Sequence, residues 1–377
     1  MAHFSGAQKE IGASLGYANL KPPFRQQARL SPRATCYNLK IMMGISRVAS
    51  FTLPYLIPIL LVPALVQRGL WTWAASSIVF LLHPLFDSLI GRKPAHVELN
   101  APGASLLLWA YVPLQAAFLA WAILTFSNVP LETWEKWGLV ISTGSMTGAI
   151  GITAAHELVH RRSRWERALG AVLLYMVTYG QFRVEHVSGH HLRVGTRQDP
   201  ATARRGEMIY AFWVRSIFMG LLSAWKIELN RHSFFKNRMV HDLIFQSALY
   251  WAVFQWQGLA GVQFLAFQSL VAVLLLETIN YVEHYGLSRA EIAPGRFEPV
   301  SPKHSWDSSH WLTNRFLFNL GYHAQHHREP TRHFEKLEHL EDAPRMPGGY
   351  STMMLAALVP PLWNHLMERN ETFRRAS

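Results

Sequence analysis

The sequence predicts an all-α integral membrane protein with six transmembrane helices, a histidine-rich metal-binding cap on the cytoplasmic side, and helices that lie in the membrane interface. Two observations support this fold class. Uncharged, mostly apolar stretches occupy residues 48–67, 100–131, 137–155 and 243–276, and roughly 20 such residues cross the core of a bilayer. In addition, nine of the 19 histidines fall in four short motifs.

The charge balance fits a membrane protein with a basic cytoplasmic surface. The 377 residues carry a formal net charge of +12, although only 16% of them are charged. Excess lysine and arginine is typical of cytoplasmic loops and of contact with anionic lipids, and it also suits docking of an acidic protein. The sequence resembles no nucleic-acid-binding module. Its single cysteine, Cys36, excludes an intrachain disulfide and a thiolate metal cluster.

Four spans are predicted in the first half of the chain. Their expected bounds are 48–67, 70–91, 103–127 and 137–158. The basic N-terminal segment and the basic loop at 91–94 indicate that the chain starts in the cytoplasm and returns there after the second span. The loop before the fourth span carries Glu132 and Glu135, which suits the outer side.

The second half of the topology follows from the requirement that all ligands of one metal site lie on one side of the membrane. The apolar segment 208–225 is therefore predicted to lie in the interface without crossing. The stretch 243–282 would be about 60 Å long as one helix, twice the core thickness, so it is predicted to turn at 257–261 and cross twice. The segment 353–366, broken by two prolines, is predicted to lie at the surface. Both termini and all histidine motifs are then cytoplasmic.

The N-terminal segment is predicted to lie outside the catalytic unit. It is polar and basic, and it lacks the apolar core and small-residue cleavage site of a secretory signal. A start at Met42 or Met43 would keep every span, so residues 1–41 are expected to be dispensable. We predict a basic, disordered extension over 1–45 and one membrane-bound domain over 46–377, with the chemical motifs at 156–327.

The first histidine motif ends the fourth predicted span. His156 and His160 are four residues apart, so both rings face one side of a helix. The same residues match the H-E-x-x-H pattern of zinc proteases, with Glu157 as the base. A zinc protease needs one further ligand, whereas this chain offers seven more clustered histidines. The protease reading is therefore the weaker alternative.

The second motif, residues 185–191, contributes His186, His190 and His191. The two adjacent imidazoles either face two different metals or hold one metal from two sides. Gly189 precedes them, and a residue without a side chain there would let the backbone approach the metal closely.

The last two motifs contribute His284 at the end of the sixth predicted span and the cluster of His323, His326 and His327. Glu277 and Glu283 lie nearby, and a carboxylate inside a span is costly and usually functional. We expect one of them to orient a ligand through its free ring N–H. A salt bridge is the alternative for Glu277.

Together the motifs predict a site for two metal ions at one face of the membrane. Imidazole suits iron, copper or zinc, and nine such donors exceed the needs of one tetrahedral zinc. The predicted ligands are His156, His160, His186, His190, His191, His284, His323, His326 and His327. The remaining histidines, among them His83, His304, His310 and His333, are interpreted as packing or surface residues.

Two further features concern the membrane-embedded part. Gly144, Gly148 and Gly151 recur along the fourth span and predict close packing of another helix. A dry path for an apolar substrate is expected among the spans. Trp71, Trp73, Trp109 and Trp121 are candidates to line it, although membrane-belt or core packing is the more common role of such residues.

These motifs resemble those of the integral-membrane alkane 1-monooxygenase family, within the wider group of histidine-box membrane desaturases and hydroxylases. Residues 156–160 resemble its first box, and residues 185–191, followed by Asp199 and Pro200, resemble its second. Residues 280–287, Asn-Tyr-Val-Glu-His-Tyr-Gly-Leu, are similar to the sequence that distinguishes alkane and aryl-methyl hydroxylases from desaturases. The match continues through 304–306 and 320–327.

The resemblance implies a di-iron enzyme of the bacterial inner membrane. It implies two irons held by the nine histidines, molecular oxygen as oxidant, and terminal hydroxylation of medium- or long-chain n-alkanes to 1-alkanols. Electrons would come from NAD(P)H through a reductase and rubredoxin or a ferredoxin-type carrier. An acidic carrier would suit a basic cytoplasmic set, which consists of Arg161, Arg162, Arg164, Arg193, Arg197, Arg204 and Arg205.

The third box departs from the family pattern. Ala324 and Gln325 replace the usual Ser and Asp, and Gly321 and Tyr322 replace the usual Gln and Arg. The ligands are intact, but the changed surroundings leave the substrate open. Aryl-methyl hydroxylation and fatty-acid desaturation or hydroxylation are therefore alternatives, and a non-enzymatic metal carrier is a third.

Overall fold

The computed structural model describes residues 48–93, 103–370 and 373. Their secondary structure is almost entirely helical, as the fold class predicts. The predicted N-terminal extension at 1–45 lies outside the described residues, as do Cys36, Met42 and Met43.

The chain forms twelve helices among the described residues, and some of them contain 3-10 or π turns. In order they are α1 Val48–Val66, α2 Gly69–Ile90, α3 Ala104–Asn128, α4 Thr133–Val159, α5 Arg164–Tyr175, α6 with its turns Phe182–Glu185, His186–His190 and His191–Arg193, α7 Ile209–Arg231, α8 Arg238–His284, α9 Trp311–Phe316, α10 His323–Arg328, α11 Tyr350–Ala357 and α12 Pro360–Glu368. Single 3-10 turns lie at Phe234–Lys236, Pro302–His304 and Phe334–Lys336. A small antiparallel hairpin pairs β1 Glu291–Ala293 with β2 Arg296–Phe297.

Five of these helices, α1 to α4 and α8, are long and apolar enough to cross a membrane. The fourth begins at Thr133, four residues before the predicted bound, because Glu132 and Glu135 form a capping box there. The Glu135 carboxylate also accepts a hydrogen bond of 2.7 Å from the backbone N–H of Gly69. This bond ties the start of α4 to the turn between α1 and α2.

Helix α8 reverses direction at Gly258, inside the turn predicted at 257–261. Gly258 has φ of 60° and ψ of −154°, which no helical residue adopts. Thr178 contacts both halves of α8. Its hydroxyl lies 3.0 Å from the hydroxyl of Tyr250, which precedes Gly258, and 3.2 Å from the hydroxyl of Ser269, which follows it. Nineteen residues of straight helix would separate Tyr250 and Ser269 by about 28 Å. The two halves of α8 therefore lie side by side.

The predicted close packing along α4 is confirmed. A Cβ placed on Gly144 would lie 2.5 Å from Val271 Cβ, and one on Gly148 would lie 2.8 Å from Ala272 Cα. Both neighbours belong to the second half of α8. Because only glycine permits this approach, α4 and α8 bring their histidine-bearing ends together at a fixed distance.

Helix α7 covers the segment predicted to lie in the interface, and it is not among the five candidate spans. One side exposes large apolar side chains, including Tyr210, Val214, Phe218 and Leu222. The opposite side is buried, and there Ser216 reaches α8 by a hydrogen bond to Glu277. The helix is thus packed against the protein along one face and apolar on the other.

The C-terminal segment differs from the prediction of a surface-lying patch. It does break at Pro360, between α11 and α12. However, Trp363 and Met367 are fully buried, and the Trp363 ring lies 5.3 Å from that of Tyr281 and 5.1 Å from that of Tyr285. The apolar side chains of this segment cover the histidine-bearing end of α8.

Candidate metal centre

Four segments bring all nine predicted ligands into one buried cluster. The end of α4 carries the first two, α6 the next three, the end of α8 one, and α10 the last three. None of the nine side chains is more than 9% exposed. The convergence depends on the glycine-mediated contact of α4 with α8 and on the cap helices that bring α10 beneath them.

The imidazoles separate into two groups of four. His156, His160, His186 and His326 form the first group, and His190, His284, His323 and His327 form the second. Within each group, one ligand atom of every ring lies within 4.8 Å of those of the other three. Each group draws on three of the four segments, so neither can form without the tertiary fold.

The ninth ring, His191, belongs beside the first group. Its Nε2 lies 3.1 Å from Nε2 of His186 and 3.1 Å from Nε2 of His326. Its neighbour His190 belongs to the second group. Of the two arrangements considered for this adjacent pair, the structure therefore favours the one in which the rings face different metals.

A π turn at His186–His190 produces this division. The wider turn interrupts the α-helical periodicity, so three imidazoles from a six-residue stretch point to two groups. π turns of this kind occur often at functional sites. A second π turn, Thr147–Ile152, precedes the first box in α4.

The donor set fits metal cations. In the second group, Nε2 of His323 lies 3.1 Å from Nε2 of His284 and 3.0 Å from Nε2 of His327. Two nitrogens about 2.1 Å from one cation are roughly 3 Å apart when they subtend a right angle there. Moreover, Nε2 of His156, His160 and His190 is buried without a hydrogen-bond partner among the described residues. A cation in each group would satisfy these lone pairs.

The rings are held in the protonation state that binds metal. Burial lowers the pKa of His160 to about 3, with further contributions from His190 and Arg161. Burial, followed by neighbouring imidazoles, also holds the pKa of His191 and His327 well below the usual range. Neutral imidazole is the form that coordinates a metal, so binding needs no proton release from these rings near neutral pH.

Two groups orient ligand rings through their second nitrogen. The Asp199 carboxylate lies 2.8 Å from Nδ1 of His190 and also accepts hydrogen bonds from the Thr202 hydroxyl and the Ala201 backbone N–H. The His304 carbonyl lies 3.3 Å from Nδ1 of His284. A carboxylate on the distal nitrogen fixes the orientation of a ligand and raises its basicity. The sequence placed Asp199 in the resemblance to the second box, but it did not indicate that the carboxylate orients His190.

Removal of this carboxylate is expected to weaken metal binding at the second group. Asp199→Ala leaves the His190 ring without its 2.8 Å partner, and losses of such partners typically cost about 10- to 100-fold in metal affinity or activity. Metal retention under increasing chelator concentration measures the effect. Asp342→Ala, at an exposed position, is the matched control. Equal retention by both variants would contradict the assigned role.

Asp307 supports the third box and was also missed. Its Oδ1 accepts a 2.8 Å hydrogen bond from the backbone N–H of Ala324, and its Oδ2 lies 2.9 Å from Nδ1 of His339. The Gln325 side chain accepts a hydrogen bond from the backbone of Glu338. Two of the four residues that depart from the family pattern, Ala324 and Gln325, are thus tied to the chain around α10, one by its backbone and the other by its side chain.

Neither predicted carboxylate orients a ring N–H. Glu277 accepts hydrogen bonds from the Tyr179 and Ser216 hydroxyls and has no hydrogen bond to the nine rings within the described chain. The predicted alternative, a salt bridge, is also absent among the described residues. Tyr179 and Ser216 satisfy the carboxylate and fix the segment between α5 and α6, and α7, against α8.

Glu283 faces the metal side of the second group. Its Oε2 lies 3.3 Å from Nε2 of His323, the nitrogen that also faces the His284 and His327 rings. Its Oε1 is buried without a hydrogen-bond partner in the described part of the chain. This geometry differs from a contact to the distal Nδ1, and it makes Glu283 a candidate oxygen donor to an ion in this group.

The zinc-protease alternative is not supported by the geometry. The Glu157 carboxylate lies 3.7 Å from the Arg161 guanidinium and faces the Phe334 backbone. Both contacts hold it away from the group formed by His156 and His160. It is therefore placed as a structural carboxylate and not as a base beside a metal-bound water.

Gly189 serves a different purpose from the one predicted. A Cβ there would collide with the Glu185 carboxylate, 2.6 Å away, and with the Arg193 guanidinium. These two groups form a 2.5 Å ion pair across the glycine. The absent side chain thus makes room for the ion pair that closes α6, and not for a metal.

An apolar cavity of about 280 Å³ adjoins the histidine cluster. Its lining includes Ile57 and Val79 from the first two helices, Ala149 from α4 and Leu275 from α8. Ile279 lines both this cavity and a smaller space bordered by His156, Glu283 and His323. None of the four tryptophans considered above lines it, and the cavity tryptophan is Trp213 of α7.

A basic funnel of about 690 Å³ approaches the cluster from a different side. His160, His191 and His327 of the cluster are part of its lining, together with Pro330 and Thr331. Five arginines line it: Arg161, Arg162, Arg167, Arg183 and Arg238. Only the first two belong to the predicted basic set. Arg193 instead pairs with Glu185, and Arg205 lies over the Phe373 ring.

Comparison with known proteins gives a consistent family. The family model described as fatty acid desaturase matches residues 132–356, which include all nine histidines. Alkane 1-monooxygenase 2 of Pseudomonas aeruginosa is 36% identical over 321 residues, covering 79% of this chain and 83% of the relative. Alkane 1-monooxygenase 2 of Alcanivorax borkumensis is 38% identical, covering 79% and 82%.

A more distant relative is named for a different substrate. The xylene/toluene monooxygenase hydroxylase component of Pseudomonas putida is 25% identical over 329 residues, covering 84% of this chain and 87% of the relative.

Proposed function

The chain belongs to the alkane 1-monooxygenase family of histidine-box membrane oxidoreductases, and from this premise we propose that it hydroxylates the terminal methyl group of medium- or long-chain n-alkanes with molecular oxygen. The observation that carries the proposal is that an apolar cavity lies next to the histidine cluster. Ile279 borders both this cavity and a smaller space lined by His156, His186 and His323. A hydrocarbon end in the cavity would therefore lie close to rings of both histidine groups.

The histidine groups and the family together support a non-haem iron centre. We propose two irons, one in each group, with His191 as a further ligand on the side of the first. When bound, the irons would supply the activation of oxygen that an unactivated C–H bond requires. Nitrogen-rich sets with few carboxylates suit iron with open positions for oxygen.

The protein's own residues position the hydrocarbon and the ligand rings, and they exclude water from the cavity. Leu275 and Ile279 present an apolar wall to the hydrocarbon, and Trp213 is fixed in the wall by a 3.2 Å hydrogen bond to Thr278. Asp199 and the His304 carbonyl hold ligand rings in orientation. No other side chain is proposed as a separate acid or base.

We propose six membrane crossings in the bacterial inner membrane, with both termini and the metal centre in the cytoplasm. Helices α1 to α4 account for four crossings, and the two halves of α8 on either side of Gly258 account for two. An even number keeps both ends of the domain 46–377 on one side. The exposed apolar face of α7 supports a position in the interface, since its buried face is already occupied by protein contacts.

The basic funnel is the proposed docking site for the electron donor. It leads to His160, His191 and His327, so an acidic rubredoxin or ferredoxin-type carrier seated there would approach the ligand rings directly. Arg183 and Arg238 are neutralised by Asp242 and Glu228. Arg162, which is exposed, and Arg161, which is buried, have weaker contacts with carboxylates than Arg183 and Arg238 have. They therefore supply most of the positive charge of the funnel. Electrons would reach the carrier from NAD(P)H through its reductase.

Charge reversal at the funnel rim is expected to weaken carrier binding. Arg162→Glu should raise the KM for the reduced carrier about tenfold at low salt, with a smaller effect at high salt because the interaction is screened. Arg164→Glu changes the same charge two residues away, outside the funnel lining, and should change KM less than twofold. The same rise in both variants would count against this docking site.

Product analysis tests the proposed reaction. Protein reconstituted with iron, a rubredoxin, its reductase and NADH is incubated with octane, hexadecane, a xylene and a fatty acid. We expect 1-octanol or 1-hexadecanol as the main product. A benzylic alcohol as the main product would favour the aryl-methyl alternative, which the xylene/toluene relative makes relevant. An unsaturated or hydroxylated fatty acid as the sole product would overturn the proposal, and metal binding without oxygen uptake would favour a carrier.

A further inference from the structure

The apolar cavity contains one polar corner, formed where α2 meets the cap. His83 of α2 and Ser351 of α11 both line the cavity. The two segments are in contact here, because the Thr352 hydroxyl lies 3.1 Å from the Ser88 hydroxyl and 3.5 Å from the Pro84 carbonyl. The other side chains around the cavity are almost all aliphatic or aromatic.

Both corner residues have polar atoms without partners. Nε2 of His83 and Oγ of Ser351 are buried and make no hydrogen bond within the described residues, and the His83 side chain is only 8% exposed. Thr278, a third polar residue of the lining, is different because its hydroxyl already bonds to Leu274 and Trp213. Unpaired buried polar atoms are costly, and each one in a native structure calls for an explanation.

The tautomer of His83 sets the chemistry of the corner. The ring lies near the Leu312 backbone, and it packs edge-on against Phe316 at 4.7 Å. In the neutral tautomer that carries its proton on Nδ1, the imidazole keeps a lone pair on Nε2. Ser351 adds a hydroxyl that donates and accepts. An alcohol group matches both in chemistry, because it can donate to an imidazole lone pair and accept from a serine hydroxyl.

A carboxylate is a poor fit in the same place. Asp87 lies one helical turn from His83, and its carboxylate is buried and already accepts two hydrogen bonds from Thr313. A second negative charge beside it would be repelled in a low-dielectric setting. No lysine or arginine lines the cavity, so nothing within the described lining would compensate an anion.

We propose that His83 and Ser351 form a subsite for the hydroxyl group of a primary alkanol whose chain lies in the apolar cavity. The inference rests on the proposed function for its biological meaning, because a 1-alkanol is the product of that reaction. The subsite would retain the product between the histidine cluster and the membrane, and the product would compete with a new alkane for the cavity.

Binding of decan-1-ol and decane tests the subsite independently of turnover. Both are measured as radiolabelled ligands by equilibrium dialysis against the iron-loaded protein in lipid nanodiscs without reductant, with empty nanodiscs as the background. His83→Leu and Ser351→Ala should each lower the ratio of decanol affinity to decane affinity about tenfold, the effect of one buried hydrogen bond. His365→Leu, at an exposed position, should leave the ratio within twofold of that of the unmodified protein.

A ratio that stays within twofold in His83→Leu would overturn the subsite, and Ser351→Ala decides in the same way if the histidine variant does not fold. Equal affinity for decanoate and decan-1-ol in the unmodified protein would also overturn it. These ratios are measured without catalysis. If the protein fails to hydroxylate alkanes but the ratios fall, the proposed function is wrong and the hydroxyl subsite stands.

Discussion

His327→Ala is expected to hold one iron per chain instead of two, and its rate of alkane hydroxylation should fall about a thousandfold or more. The His327 ring is one of the four imidazoles of the second group, and its Nε2 lies 3.0 Å from that of His323. Removal of one ligand leaves the remaining imidazoles of that group unable to complete a coordination set, and a loss of several kcal/mol in transition-state stabilisation corresponds to about three powers of ten. Iron analysis of the detergent-purified variant, together with alkane turnover, measures both effects.

The two groups make this prediction selective. His160→Ala should remove the iron of the first group, and the double variant with His327→Ala should remove both. Because His191 lies 3.1 Å from rings of the first group, its replacement should affect the same iron as His160→Ala. His333→Ala is the matched control, since this ring is largely exposed and lies only six residues beyond His327. Loss of iron in the control, or two irons retained in His327→Ala, would contradict the grouping.

Ala149→Phe is expected to shift substrate preference toward short alkanes. Ala149 lines the apolar cavity of about 280 Å³, and a phenyl ring there would displace about three methylene groups of a long chain. Each buried methylene contributes about 0.8 kcal/mol, so hexadecane should lose about 2.4 kcal/mol of binding, roughly fiftyfold in kcat/KM. Octane, which leaves part of the cavity unused, should lose less than fivefold.

The control for this variant is Leu81→Phe, which adds a ring on the outer face of α2, where the side chain is 66% exposed. It should leave the ratio of hexadecane to octane turnover unchanged. An unchanged ratio in Ala149→Phe as well would show that the hydrocarbon binds elsewhere.

The sequence was most informative about the ligand-bearing segments. Uncharged stretches of about 20 residues identify membrane helices from length and hydropathy alone. The turn predicted at 257–261 followed from a stretch too long for one crossing, and Gly258 lies within it. The glycines at 144 and 148 predicted a close helix contact, and Val271 and Ala272 provide it. Histidine spacing indicated a metal site because nine donors in four short motifs exceed the needs of packing.

What the sequence could not show depends on side-chain direction after folding. Glu283 and His284 are adjacent in sequence, yet the carboxylate faces Nε2 of His323 instead of a distal ring nitrogen. Asp199 reaches His190 through a loop whose course depends on Thr202 and the Ala201 backbone. Gly189 was assigned to the metal because it lies among histidines, whereas the Glu185–Arg193 ion pair occupies the space.

The apolar cavity and the basic funnel are further cases of this kind. The four candidate tryptophans lie outside the cavity, which is lined mainly by aliphatic residues brought together from seven helices. The arginines of the funnel come from three separated segments, whereas Arg193, close to the second box in sequence, is already paired with Glu185. Surfaces assembled from distant segments leave no local pattern in a single sequence.

Metal analysis of the purified protein, combined with Mössbauer spectroscopy of the iron-57-loaded form, tests whether the two groups of imidazoles hold two irons. We expect two irons per chain in nitrogen-rich, non-haem environments and no stoichiometric zinc. One zinc per chain, or a single iron that His160→Ala and His327→Ala both remove completely, would contradict this expectation.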